Sequence, residues 1–251
     1  MNFSFDLHFG YAVMVVLGFA LTLSFKLTRN FTDPRDKRRY YALQAITAVC
    51  ALLGAKLAVL FGDALWPLRE FHDWGALIGG GRSLAGALLF GFLGAEAAKP
   101  LLRYDIPPND RFAIIVPFSI GLGRIGCLIV GCCRGVPFNG PWAITYADGI
   151  PRHPAAVYEM LFHWAMGFVL IALWRRQILF GRLFAIYLLS YGVFRFFTEF
   201  VRETPKAYAD LSAYQIMSVL MVIAGGVAII ARTLHQPESW QRWKTAAAAN
   251  R

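Results

Sequence analysis

Seven stretches of this chain, at about 11–27, 41–61, 75–98, 112–131, 154–174, 180–200 and 212–231, are apolar over nearly the length a helix needs to cross a bilayer, which is roughly 20 residues. Inside hydrocarbon every backbone N–H and C=O must be satisfied within the protein, so runs of this length and spacing dictate helices. The alternative, a soluble helical bundle, conflicts with the composition. The chain is 57% hydrophobic and 16% charged, whereas soluble domains sit nearer about 45–50% apolar and 25% charged. The expected fold is therefore all-α: a polytopic membrane protein of about seven transmembrane helices. Residues 1–251 are read as a single integral-membrane domain ending in a short tail from about 232. That tail, with Trp240 and Trp243, is suited to lie at the interface.

Charge sets the expected topology. The opening "MNFSFDLHFG" has no basic region of the kind that precedes a cleaved signal, so the first span is expected to be retained. The connection after it, "KLTRNFTDPRDKRRYY", carries Lys26, Arg29, Arg35, Lys37, Arg38 and Arg39 and belongs on the cytoplasmic side. The N-terminus is then outside and the C-terminus inside. The outer segments hold only Arg69, Arg134, Arg152, Arg202 and Lys206. This asymmetry accounts for the formal net charge of +10 without a nucleic-acid partner, and no stacking-aromatic motif suggests one.

Four cations remain inside the spans: Lys56, Arg82, Arg124 and Arg195. A charge there costs a few kcal/mol or more unless it is paired or faces a wet cavity. Snorkelling toward a helix end would explain any one of them; four together point to a cationic pocket. Glu96, Glu159 and Glu199 are the acidic residues comparably placed. In a membrane the matching anion is a lipid phosphate, which a guanidinium grips with two hydrogen bonds. Tyr191, Arg195, Glu199 and Arg202 recur at helical spacing on one face, either as a binding face or as an intrahelical ion-pair ladder. Arg124 and Cys127 also share a face, with Gly131 a turn beyond, and Gly121, Gly123, Gly126 and Gly131 allow backbones to approach closely.

His153 sits between Pro151-Arg152 and Pro154 just before a span, six residues ahead of Glu159, where a group titrating near neutrality is useful. The other histidines show no ligand spacing. "GGGRS" at 79–83 lacks the context of a nucleotide loop and reads as a bent or broken membrane helix presenting Arg82. Cys50, in mid-span, is a small packing residue. Cys127, Cys132 and Cys133 converge at the outer end of the fourth span. They leave four readings open: packing thiols, a disulfide involving Cys127, a zinc site with His153 as fourth ligand, or a thiolate nucleophile beside Arg134. No metal site and no cofactor is assigned.

The order of these pieces resembles the prolipoprotein diacylglyceryl transferase family. The matching elements are Tyr11 with "GF" at 18–19, "GGGRSLAG" at 79–86, "GLGRIG" at 121–126, "GCCRG" at 131–135, "RHPAAVYE" at 152–159 and "YGVFRFFTEFVRE" at 191–203. The resemblance implies a seven-helix enzyme of the bacterial inner membrane. It would move the diacylglyceryl group of phosphatidylglycerol to the thiol of a lipobox cysteine in an exported precursor and release glycerol phosphate, with its active site facing the periplasm. By position, Arg124 and Arg195 would hold the phosphate, with Glu199 and Arg202 in the same network, and His153 would help remove the thiol proton. Tyr11, Arg82, Glu159, Cys127 and Gly131 would line the substrate site. The chain departs from the family pattern at Ala85, where a histidine is usual, and at Cys127 and Cys132, which replace an asparagine and a glutamate. Only residues 136–151 separate Gly135 from Arg152, where many members carry a longer insertion. A related enzyme using another acceptor and a non-catalytic lipid or anion transporter are the competing functions.

Overall fold

The computed structural model describes residues 12–14, 16–18, 20, 34–62, 81, 83–104 and 109–235. Among these, six helices are long and apolar enough to cross a membrane. They are α1 (Pro34–Gly62), α2 (Leu84–Leu101), α3 (Asn109–Val130), α4 (Ala155–Arg175), α5 (Leu183–Thr198, continued by a 3-10 turn at Glu199–Val201) and α6 (Ala213–Leu234). The described residues of the first apolar window, 12–14, 16–18 and 20, are helical. The tail beyond 235 lies outside the described residues.

The surfaces are those of a protein in lipid. On α6, Ile216, Val219, Leu220, Ile223, Val227 and Ile230 are exposed at intervals of one to four residues, while Gln215, Ser218 and Arg232 are buried. The apolar stripe of a water-soluble helix faces the core; here it faces outward and the polar groups turn in. Leu161, Phe168 and Val169 of α4, and Val49, Leu52 and Leu53 of α1, are exposed in the same way.

The chain forms two compact units. One comprises Thr28–Pro108, Phe184–Phe196 and Thr204–Arg251. Pro34 opens α1, its fixed φ suited to a first turn. Gly54 of α1 faces Gly86 of α2 so closely that a Cβ on Gly86 would lie 2.3 Å from the Gly54 carbonyl oxygen, so these two helices meet backbone to backbone. Ser83 caps α2 by accepting from Gly86 N–H at 3.3 Å, while its own N–H donates to Ala55 O at 3.1 Å. Lys56, one of the four intramembrane cations, donates to Gly81 O at 3.2 Å. Glu96 is the anion for Lys99 at 2.6 Å and Arg232 at 2.5 Å. Arg232, counted by sequence with the cytoplasmic flank, is buried. The capping box of Ser212 and Gln215 starts α6.

The other unit comprises Met1–Leu27, Asn109–Leu183 and Phe197–Glu203. Gly121 of α3 gives the indole of Trp164 on α4 its place, and Gly167 of α4 does the same for Phe118 of α3. Buried Asp110 accepts from the backbone N–H of Gly181 and, at 3.0 Å, of Leu183, so a carboxylate satisfies donors at the start of α5. The connection from α3 to α4 holds a small antiparallel hairpin, β1 (Ile144–Thr145) and β2 (Pro151–Arg152), paired Ile144 to Arg152 and Thr145 to Pro151. Among the described residues the all-helical expectation therefore holds for six spans and gives way to strands in this loop. The sequence explains why: Pro141, Gly149 and Pro151 break helical periodicity, and Gly149 has a φ of +73°.

Candidate functional site

The site forms where α3 ends, α4 begins and the segment after α5 passes between them. Gly131, at a φ of +71°, stops α3; its N–H turns back to Leu128 O at 3.2 Å, and the N–H of Cys132 reaches Cys127 O at 3.1 Å. A left-handed glycine with such a 6→1 bond is a standard helix stop. Cys133 follows at a φ of +60°, uncommon for a residue with a side chain. The chain thereby curls so that Cys132 and Cys133 return to Cys127.

Arg124 stands one turn earlier on the same face as Cys127. One guanidinium nitrogen meets Glu159 Oε2 at 2.5 Å. The other lies 3.6 Å from Cys133 Sγ and 3.9 Å from Cys127 Sγ. Glu159, just past the first turn of α4 and 1% exposed, uses its other oxygen to accept from Arg202 at 3.2 Å. Arg202 Nε lies 3.6 Å from Glu199 Oε2, a charge contact rather than a hydrogen bond. The chain Arg124–Glu159–Arg202–Glu199 thus alternates in sign. Burial, the largest single influence, works against the Arg202 cation, but Glu159, Cys133 and Glu199 together hold that guanidinium above its ordinary pKa. The sequence suggested a pocket with excess positive charge; among these four residues the structure pairs each guanidinium with a carboxylate instead.

A second layer fixes His153. Gly135 donates to His153 O at 3.1 Å, His153 N–H donates to Val136 O at 3.2 Å, and Val136 N–H donates to Val201 O at 3.0 Å. Three chain segments meet here so tightly that a Cβ on Gly135 would lie 2.6 Å from both Cβ and O of His153 and 2.8 Å from Val201 O, so only glycine fits. The imidazole stacks on Phe138, centroids 3.9 Å apart, and Nδ1 lies 3.0 Å from the Tyr158 hydroxyl. That hydroxyl also accepts from Trp142 Nε1 at 2.8 Å. Its oxygen can also accept from Nδ1–H, and in that tautomer Nε2 carries the free lone pair.

Arg152, read from sequence as an outer loop charge, is buried and pairs with Glu203 at 2.9 Å and Asp148 at 3.1 Å, while donating to Gly135 O at 3.3 Å. Asp148 also pairs with Arg134 at 2.9 Å. The backbone N–H of Ile150 and the Arg152 cation hold the Asp148 carboxyl below its ordinary pKa. Its contribution is full above the unfolded value of about 3.9. It is lost as pH falls through the lower folded value. Amide exchange across 144–152 should therefore stay slow at neutral pH and rise on acidification below that range. In Asp148→Asn it should be fast already at neutral pH.

The thiols divide their protons unequally. Hydrogen bonds from Cys127 and Cys132, then the Arg124 and Arg202 cations, push Cys133 below the ordinary thiol range. The same sharing, with Cys127 first, pushes Cys132 above it.

Of the residues selected by sequence, His153, Arg124, Glu199, Arg202, Glu159, Cys127 and Gly131 belong to one unit, and the contacts above join them. Arg195 belongs to the other unit, its guanidinium 5.6 Å from the centroid of the Tyr214 ring. Tyr11 and Arg82 lie outside the described residues. Sequence reading missed Tyr158, Trp142 and Phe138 as the setting of His153, and Arg152 as a buried bracket. The one available signal was Tyr158, on the first turn of the helix that His153 precedes.

A family model described as prolipoprotein diacylglyceryl transferase matches residues 2–231. The chain is 33% identical over 242 residues to a phosphatidylglycerol–prolipoprotein diacylglyceryl transferase of Nitrosospira multiformis, covering 88% of this chain and 81% of that one. It is 32% identical over 234 residues to a protein of the same name from Bordetella parapertussis, covering 86% and 87%. To phosphatidylglycerol–prolipoprotein diacylglyceryl transferase 2 of Clostridium perfringens the identity is 25% over 231 residues, covering 86% and 88%.

Proposed function

The chain belongs to the prolipoprotein diacylglyceryl transferase family, and from that premise we propose that it transfers the diacylglyceryl group of phosphatidylglycerol to a cysteine thiol of a prolipoprotein. It is a multi-pass membrane enzyme. The observation that carries the reading is the Arg124–Glu159–Arg202 bridge, which takes one residue from each of "GLGRIG", "RHPAAVYE" and "YGVFRFFTEFVRE". In the reaction the acceptor sulfur attacks the glyceryl carbon that bears the phosphate. A C–S bond forms, the C–O bond breaks, and its electron pair leaves on the oxygen of glycerol phosphate.

The chemical demand is to hold that leaving charge. Arg124 and Arg202 are positioned for it by Glu159, so donors aimed at the phosphate need little reorganisation during bond breaking. Arg195 and Arg82 are assigned to lipid binding by their places in the family motifs alone, Glu199 to the support of Arg202, and Tyr11, Cys127 and Gly131 to the lining. His153 takes the thiol proton, a contribution of roughly 10²–10⁴ to rate. The hydroxyl of Tyr158 orients it from the Nδ1 side. The charge asymmetry of the loops supports an inner-membrane protein with its C-terminus in the cytoplasm and the 131–154 connection facing the periplasm. One family model over 2–231 supports reading the chain as a single catalytic domain.

The test is mass spectrometry of a lipobox-cysteine peptide incubated with phosphatidylglycerol and the purified chain. A gain of one diacylglyceryl group is expected, with equimolar release of glycerol phosphate. His153→Gln should slow it by roughly 10²–10⁴-fold while leaving thermal unfolding unchanged. No gain, under conditions where the Bordetella parapertussis relative works, would overturn the reading in favour of another acceptor.

A further inference from the structure

Cys127, Cys132 and Cys133 are reduced and place their three sulfurs within 4.8 Å of one another. We infer that this trio is a binding site for a thiophilic, closed-shell metal ion, copper(I) in a three-sulfur setting, a function beyond transfer although Cys127 also belongs to the lining proposed for the lipid. An ion bonded to three sulfurs at about 2.3 Å spaces them about 4 Å apart, so the trio needs to close by less than about 1 Å. The backbone already does the gathering: the Gly131 turn, the Cys132 N–H to Cys127 O bond and the left-handed φ of Cys133 bring the three back onto the last turn of α3.

The donor set selects the ion. Sulfur alone favours soft metals over magnesium, calcium or manganese. Among the described residues no histidine nitrogen joins the three sulfurs within that 4.8 Å distance, so a tetrahedral zinc site would lack its fourth protein ligand. Three thiolates without a fourth protein ligand suit copper(I) better than the closed four-ligand sites of structural zinc. The excess negative charge of three thiolates has its counter-ion in place, since Arg124 touches two of the sulfurs. A disulfide is the competing fate of such thiols, but adjacent Cys132 and Cys133 are poor partners. Joining either to Cys127 would leave one thiol unused.

Copper(I) would be added to the reduced full-length protein in detergent without oxygen, followed by desalting, copper analysis and thiolate-to-copper absorption. One copper per chain is expected, with affinity falling in Cys127→Ser, Cys132→Ser and Cys133→Ser. Each fall should exceed the roughly 10–100-fold that loss of a supporting partner costs; Cys50→Ser should bind as the parent does. Alkylation of the parent chain guards against a variant that fails to fold: bound copper should shield those three cysteines and leave Cys50 unchanged. No retained copper, shielding not confined to the trio, or zinc(II) binding at one per chain where copper(I) does not, would each overturn the assignment. None of these readouts depends on transfer activity, so failure here and failure of the transferase reading are told apart.

Discussion

Replacing Glu159 by alanine is expected to destabilise the protein by about 3–5 kcal/mol and to abolish transfer. The side chain is 1% exposed and is the shared anion of Arg124 and Arg202. Its removal strands two guanidiniums out of water, and that stranding, more than the lost attraction, is the main cost. Glu159→Gln keeps the shape and loses the charge; it should behave almost as badly, which separates electrostatics from packing. In a double-mutant cycle, Glu159→Ala with Arg202→Met should lose less than the sum of the two single changes, because the second change removes one of the stranded charges. Thermal unfolding in detergent and the peptide mass assay measure the two effects separately. Full stability in Glu159→Gln would mean that the bridge does not hold the site together.

Such a bridge was only partly legible in the sequence. The six described spans follow from apolar runs of membrane length, and the signals that bound them are local: Ser83 capping α2, Ser212 with Gln215 opening α6, Gly131 closing α3. The helical spacing of Glu199 and Arg202 survives as a real contact, although the helix tightens to a 3-10 turn after Thr198. Pairings across the chain were out of reach. Arg124 to Glu159, Arg152 to Glu203 and Trp142 to Tyr158 each join residues between 16 and 51 positions apart. Only the turn at Gly131, the hairpin and the close approach at Gly135 bring them together. For the same reason Arg152 read as an outer loop charge: of its partners only Asp148 is near in sequence, while Gly135 and Glu203 lie 17 and 51 positions away. The thiols were visible as a cluster, but their return onto Cys127 depends on a backbone turn that a run of apolar residues and glycine does not announce.

Arg124→Lys is expected to lower transfer by roughly 10²–10³-fold, the cost of losing one donor to a developing oxyanion, while the protein still folds. Lysine is long enough to keep a charge contact with Glu159, so the bridge survives and thermal unfolding should shift by only a few degrees. A single ammonium cannot also reproduce the second edge of the guanidinium, the one now turned to Cys127 and Cys133. Arginine's planar fork addresses two directions at once, with one edge held by a carboxylate while the other, here on two sulfurs, can turn to an incoming anion. If that second edge meets the phosphate only as its ester bond breaks, kcat should fall with KM nearly unchanged. A rise in KM at constant kcat would instead assign Arg124 to holding the lipid in its ground state. A lysine variant with full activity would remove the guanidinium from the chemistry altogether, leaving it a strut between α3 and α4.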